Sequence, residues 1–180
     1  MVVEETLVAE LKNKETQGKA FEVLVDQYKE RLYWHIRRIV LNHDDADDVL
    51  QNTFIKVYRN IEGFKANSKL YSWMYRIATN ESLTFLDKKS KKLGKSTTEM
   101  QEYLVENLEA DVYFEGDAIQ LKLQEALATL PDKQKLVFNM KYFQEMKYEE
   151  ISEILETSVG ALKTSYHLAS KKIEAYLKAD

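Results

Sequence analysis

One proline, at Pro131, and five glycines in 180 residues leave this chain few places to turn tightly. A sheet protein fills its many turns with those two residues, whereas Leu, Glu, Lys and Ala, plentiful here, favour helix. The expected class is all-α. Apolar spacing agrees: Phe21, Leu24, Val25, Tyr28, Leu32, Ile36, Ile39 and Val40 fall three or four apart, the stripe of a long helix or helix pair ending near Asn42. Asp44 or Asp45 suits the N-cap of the next helix, whose apolar positions are Val49, Leu50, Phe54, Val57, Tyr58 and Ile61 before Gly63 stops it. A short polar loop over residues 64–70 precedes a third helix from about Tyr71, carrying Trp73, Met74, Ile77, Ala78, Leu83 and Leu86 and dissolving into Lys88, Lys89, Lys91 and Lys92. These segments form an N-terminal domain of three to four helices, residues 1–92.

Residues 93–117 carry Lys95 as their one cation against Glu99, Glu102, Glu106, Glu109, Asp111, Glu115 and Asp117. With weak periodicity, this stretch reads as an acidic linker holding at most a helical turn or two. Residues 118–180 then form a four-helix C-terminal domain, with helices expected at 118–129, 132–143, 148–155 and 159–177. Pro131 sits just before the second of these, where a helix start tolerates proline.

Composition removes several function classes. No cysteine is present, which excludes disulfide scaffolds, thiolate metal sites and cysteine nucleophiles, and fits a reducing cytoplasm. No apolar run reaches the roughly 18 residues a membrane span needs, and an N-terminus with Glu4, Glu5 and Glu10 lacks a signal-peptide pattern. A cytoplasmic protein without membrane insertion is expected. His35, His43 and His167 are widely separated, and no glycine-rich phosphate loop occurs. No catalytic centre, cofactor or metal site is therefore expected, His43 beside Asp44 and Asp47 being the nearest approach to one. The net charge of −4 argues against tight non-specific nucleic-acid binding by the free chain.

Two segments nevertheless carry nucleic-acid chemistry. Tyr148 opens a short helix with Ile151, Ile154 and Leu155 on one face; Glu156, Thr157 and Ser158 make a turn; a second helix follows with Leu162, Tyr166 and Ala169 inward. Two helices joined by so short a turn have helix-turn-helix geometry, which sets the start of the second helix against major-groove base edges. Lys163, Thr164, His167 and Lys171 lie outward, and the helix N-terminus favours phosphate. A plain helical hairpin is the alternative. The second segment interleaves Phe64, Tyr71, Trp73 and Tyr75 with Lys65, Asn67, Lys69, Arg76 and Asn80, a composition suited to unpaired bases through stacking, backbone charge and amide bonds. Some of these rings must be core, Trp73 first among them. Between the two N-terminal features, Gln51, Asn52, Lys56 and Arg59 offer a polar outer helix face to a protein partner.

The run Asp45-Ala46-Asp47-Asp48-Val49-Leu50-Gln51-Asn52-Thr53-Phe54-Ile55-Lys56-Val57-Tyr58, then Tyr71-Ser72-Trp73-Met74-Tyr75-Arg76-Ile77-Ala78-Thr79-Asn80, then Leu130-Pro131 and the helix-turn-helix, resembles successive landmarks of bacterial sigma factors of the sigma-70 family, extracytoplasmic-function group. The resemblance implies an N-terminal region 2, an acidic linker and a C-terminal region 4. The helix with Asp45, Asp47, Asp48, Gln51, Asn52, Phe54, Lys56 and Val57 would dock on the clamp helices of the largest subunit of core RNA polymerase. Phe64, Lys65, Asn67, Lys69, Trp73, Tyr75, Arg76, Asn80 and Lys88 would recognise and open the minus-10 element. The helix-turn-helix over residues 148–167, with Ser158, Gly160, Lys163, Thr164, His167 and Lys171, would read the minus-35 element. The linker would lie near the RNA exit path. Promoter DNA, the polymerase clamp and flap, and an anti-sigma protein are the implied partners, with a monomer when free.

The chain departs from the family pattern in having Ser165, Leu168 and Ser170 where arginines are usual, and Thr84 and Asp87 where Asp and Arg often follow Asn80. Lys163, Lys171 and Lys172 offset the first loss of charge and Lys88, Lys89, Lys91 and Lys92 the second. The rival reading is a stand-alone helix-turn-helix regulator with a helical sensing or dimerisation domain, which predicts stable homodimers and operator binding without polymerase.

Overall fold

The computed structural model describes residues 4–108, 111 and 117–179. Glu109 and Glu115 of the acidic linker lie outside the described residues. Helices α2 (Gln17–Val40), α3 (His43–Asn60) and α4 (Leu70–Leu93) pack side by side. Their inward positions are the apolar ones of the sequence pattern: Leu24, Leu32, Ile36 and Val40 from α2, Val49 and Val57 from α3, Met74 and Ala78 from α4. Leu41 turns left-handed at φ 58° to end α2, and the N-cap of α3 is Asn42 rather than Asp44 or Asp45: its side chain accepts from the Asp45 amide at 2.9 Å, and the two aspartates fall in the first turn, where their charge suits the helix end. A 3-10 turn, Ile61–Gly63, closes α3. The lysine run does not dissolve the third helix: α4 continues through it and stops at Gly94, whose φ of +64° suits a residue without a Cβ.

Two helices went unread in the sequence. Helix α1 (Glu4–Lys12) lies on α2 and the 3-10 turn through Leu7 and Leu11. Helix α5 (Thr97–Glu106) occupies the first half of the expected linker, longer than the turn or two anticipated. Ser96 and Glu99 start it with a reciprocal capping box, and Met100 and Leu104 bury themselves in the core. The acidic residues around those two apolar positions mask their spacing.

The C-terminal helices are α6 (Ala118–Ala128), α7 (Asp132–Phe138), α8 (Tyr148–Leu155) and α9 (Val159–Lys178), with a π turn, Asn139–Phe143, after α7. Ala126, Leu127, Leu130, Phe138, Ala169 and Ile173 form a small core between α6, α7 and α9. Leu136, Met140, Met146, Ile151, Ile154 and Leu162 instead join the large core built on α2 and α4. The two helical halves thus share buried apolar surface, and α8 lies directly on α4.

Polar groups reinforce that joint. His35 on α2 is buried and approaches the Thr79 hydroxyl on α4 at 2.7 Å through Nε2 and the Gln144 amide nitrogen at 3.0 Å through Nδ1. Because the Thr79 hydroxyl donates to the Tyr75 carbonyl, His35 Nε2–H is the donor to Thr79 and Nδ1 the acceptor from Gln144. Burial lowers the His35 pKa to about 3, so the ring is neutral. Lys135 donates to Gln101 at 2.6 Å, joining α7 to α5, and burial lowers its pKa to about 8 against the opposing pull of Asp132. Arg37 meets Asp111 at 2.8 Å with both side chains buried.

Candidate nucleic-acid interface

On α3, the acidic start and the outer face behave differently. Asp45 is paired with Lys89 of α4, and Asp47 lies 3.5 Å from His43, while Asp48, Gln51, Asn52 and Lys56 are exposed, with Lys56 paired to Glu81. Phe54 and Val57 are buried, Phe54 edge-on to Phe21 at 6.1 Å. They set the helix on the core rather than line its surface. Ile55 and Tyr58 are 46% and 43% exposed and extend the Gln51 face. The sequence pattern places Tyr58 inward and passes over Ile55; in the structure both are partly open to solvent on this face, Tyr58 with its ring edge-on to Phe21 at 5.0 Å. Among the described residues no group of three His, Cys, Asp or Glu side chains is placed to hold a metal.

The next element is a loop between two fixed points. Phe64 is turned into the core, 4% exposed, with its ring 5.1 Å from that of Trp73. Lys65, Asn67 and Lys69 are exposed. Ala66 between them has φ 54°, a left-handed conformation that side chains other than glycine, Asn and Asp seldom take. Behind the loop on α4, Trp73 is half-buried and Tyr75, rather than Trp73, is the buried ring, 4% exposed. Asn80 and Lys88 face solvent.

Arg76 is engaged from across the joint. Its Nη2 donates to the Glu153 carbonyl of α8 at 2.5 Å and its Nη1 lies 3.2 Å from the Glu156 carboxylate. Tyr71 also turns to α8: burial first, then its hydrogen bond with Glu150, raises the phenol's pKa. In this arrangement the acidic start and end of α8 cover part of α4.

The helix-turn-helix forms where the pattern put it. Glu156 ends α8 in the left-handed conformation, φ 51°, and the Ser158 hydroxyl caps α9 by accepting from the Ala161 amide at 3.3 Å. Leu162 and Ala169 are fully buried, Tyr166 is half-buried and stacks on Phe138 at 5.6 Å. Gly160, Lys163, Thr164, His167 and Lys171 are all exposed, and their three- and four-residue steps place them in one row along α9. Ser158 stands exposed at the head of that row. The α9 N-terminus and two lysines give the row a positive potential suited to phosphate. On the other side of this half, Ile119 and Tyr142 are 73% and 55% exposed and open an apolar groove with Leu123, Ile173 and Leu177.

Comparison with known proteins bears on both halves. The family described as Sigma-70 region 2 matches residues 24–92, and Sigma-70, region 4 matches residues 120–173. The ECF RNA polymerase sigma factor SigW of Bacillus subtilis (strain 168) is 33% identical over 177 residues, covering 92% of each chain. Among solved structures, CnrH in complex with the cytosolic domain of CnrY shares the fold with a TM-score of 0.69 at 22% identity, over 98% of each chain. The sigma factor RpoE in complex with the anti-sigma factor NepR from Bartonella quintana gives a TM-score of 0.66 at 19% identity, over 90% of this chain and 99% of that one. A region 2 fold on α2 to α4, a region 4 helix-turn-helix on α8 and α9, and a relative of this identity along nearly the whole length together make this chain a member of the extracytoplasmic-function group of sigma-70 family RNA polymerase sigma factors, which direct promoter-specific initiation of transcription.

Proposed function

We propose that the chain divides promoter recognition between its two halves, with the outward row of α9 reading the minus-35 element and the loop ahead of α4 capturing the minus-10 element as it opens. The observation that carries the reading is the α9 row: Ser158, Gly160, Lys163, Thr164, His167 and Lys171 are exposed on one face of a helix whose opposite face is locked into the core. Lys and Thr reach base edges and phosphates from there. Lys65, Asn67 and Lys69 in the loop, with Asn80 and Lys88 on α4, are the groups for the unpaired strand; Arg76, held by Glu153 and Glu156 of α8, joins them only when α8 leaves α4. Phe64 and Tyr75, buried, shape that surface from beneath. Trp73, half-buried with its ring 5.1 Å from that of Phe64, is the ring we assign to stacking on a base.

The α3 face of Asp48, Gln51, Asn52, Ile55, Lys56 and Tyr58 docks on the clamp helices of the polymerase, its apolar centre ringed by polar groups as a protein interface requires. The groove of Ile119, Leu123 and Tyr142 takes the flap. An anti-sigma protein is a further partner of this chain; a structural neighbour's own complex with one supports that reading. Among the described residues no helix is long and apolar enough to cross a membrane, and the work assigned here, which involves no catalysis by this chain, belongs to the cytoplasm where polymerase meets promoters.

The test is reconstitution. Purified chain with core polymerase gains selective initiation at its promoters, and the free chain remains a monomer that holds no promoter fragment at physiological salt. A stable homodimer bound to a palindromic operator without core would favour the stand-alone regulator and end this reading.

A further inference from the structure

Helix α1 precedes the stretch matched to region 2, residues 24–92. Its polar side chains reach both ends of the candidate minus-10 loop. Lys12 donates through Nζ to the Phe64 carbonyl at 2.5 Å, and Glu4 accepts from the Leu70 amide at 2.7 Å. Between them Leu7 and Leu11, each 1% exposed, fix α1 to the core. Helix α4 lacks a cap of its own: Lys69 stands at its N-cap position and makes no side-chain cap bond. Glu4 supplies the missing acceptor from far upstream in the sequence, and its negative charge suits the positive helix end. The exposed span between the two anchors carries Lys65, Asn67 and Lys69 and the left-handed Ala66.

We propose that Glu4 and Lys12 are positioning residues for promoter opening: α1 braces the loop at its two ends and holds Lys65, Asn67 and Lys69 ready for the unpaired strand. This rests on the reading of that loop given above. The physical reason is preorganisation. A loop already held near its bound shape loses less conformational freedom when it captures a base, so affinity rises without any new contact to DNA. The anchors lie at the loop's ends and leave the side chains between them free.

The experiment uses holoenzyme reconstituted from core polymerase and the full chain. Its probe is a fluorescent single-stranded oligonucleotide carrying the non-template minus-10 sequence of a promoter that the wild-type holoenzyme transcribes; a minus-35 duplex is the control. Glu4→Ala and Lys12→Met are expected to weaken single-strand binding about five- to tenfold, the consequence of freeing one hydrogen-bonded loop end. Glu4→Gln keeps an acceptor oxygen and restores most of the affinity. Duplex binding and the melting temperature change little. Wild-type affinity in the α1 variants, with Asn67→Ala and Lys69→Ala weakened, overturns the brace and leaves the loop reading standing. Wild-type affinity in the loop variants as well removes the loop reading and the brace with it. Equal losses on single strand and duplex make α1 a general stability element and also overturn the proposal.

Discussion

Acidification should loosen the joint between the two halves through one residue, His35. Its ring is buried, neutral, and satisfied by Thr79 and Gln144, with a pKa lowered to about 3 from 6.5 by burial. An unfolded chain carries an ordinary histidine. Between pH 6.5 and about 3 the unfolded state therefore binds a proton that the folded state refuses. The stabilisation due to this group is complete above pH 6.5 and is lost as pH falls through that window. From pH 7.5 to 5 the loss is about 2 kcal/mol, one and a half pH units below the unfolded pKa at about 1.4 kcal/mol each. A proton on Nδ1 would require the Gln144 amide to turn over and present Oε1 in place of its N–H, so the rearrangement falls on the contact between α2 and the turn after α7. Urea unfolding followed by far-UV circular dichroism at pH 7.5, 6.5 and 5 measures the loss. Other groups titrate too, so the comparison is with His35→Gln, which has no proton to take up. Wild type should lose about 2 kcal/mol more than His35→Gln over that range. Equal losses in the two proteins would refute the reasoning, because they would show that His35 does not stay neutral when buried.

Three further outcomes follow from particular contacts. Arg37→Ala removes the guanidinium 2.8 Å from the buried Asp111 carboxylate, which keeps the His43 amide at 3.3 Å, and should cost about 3 kcal/mol in chemical denaturation; a cost below about 1 kcal/mol would mean that water reaches the pair. Asn80 is exposed, so Asn80→Ala should leave the melting temperature unchanged while slowing promoter opening about tenfold, read by 2-aminopurine fluorescence in the minus-10 element. A matching fall in thermal stability would make Asn80 structural. Lys163→Ala should weaken holoenzyme binding to a minus-35 duplex about three- to tenfold and reduce the salt slope by about one if the contact is to phosphate; unchanged occupancy would remove Lys163 from the reader.

Much of this molecule is legible in its sequence because much of it is local. A helix stripe and a short turn involve residues within a turn or two of one another, so the periodicity of α2 and α3 and the turn at Glu156 to Ser158 appear in the letters alone, while the cap of α3 falls at Asn42, just ahead of the aspartates that the letters favour. The α9 row is legible for the same reason: Leu162 and Ala169 inward fix Lys163 and His167 outward by helical geometry. Tyr58 shows the limit. Its spacing matches the stripe, but the packing of α2 against α3 leaves the side chain at the margin, 43% exposed.

The helical class, most helix boundaries, the helix-turn-helix and, through the order of the motifs, the family can all be read from the amino-acid order. Packing in three dimensions sets which rings near the loop are core, puts α5 where a linker was expected, ties both ends of the loop to α1, and lays α8 on α4 with Arg76 held between Glu153 and Glu156. The physical reason is range. A period says which residues share a face and nothing about what that face meets, and Leu70 finding Glu4, or His35 finding Gln144, joins residues far apart in the chain whose pairing no local pattern encodes.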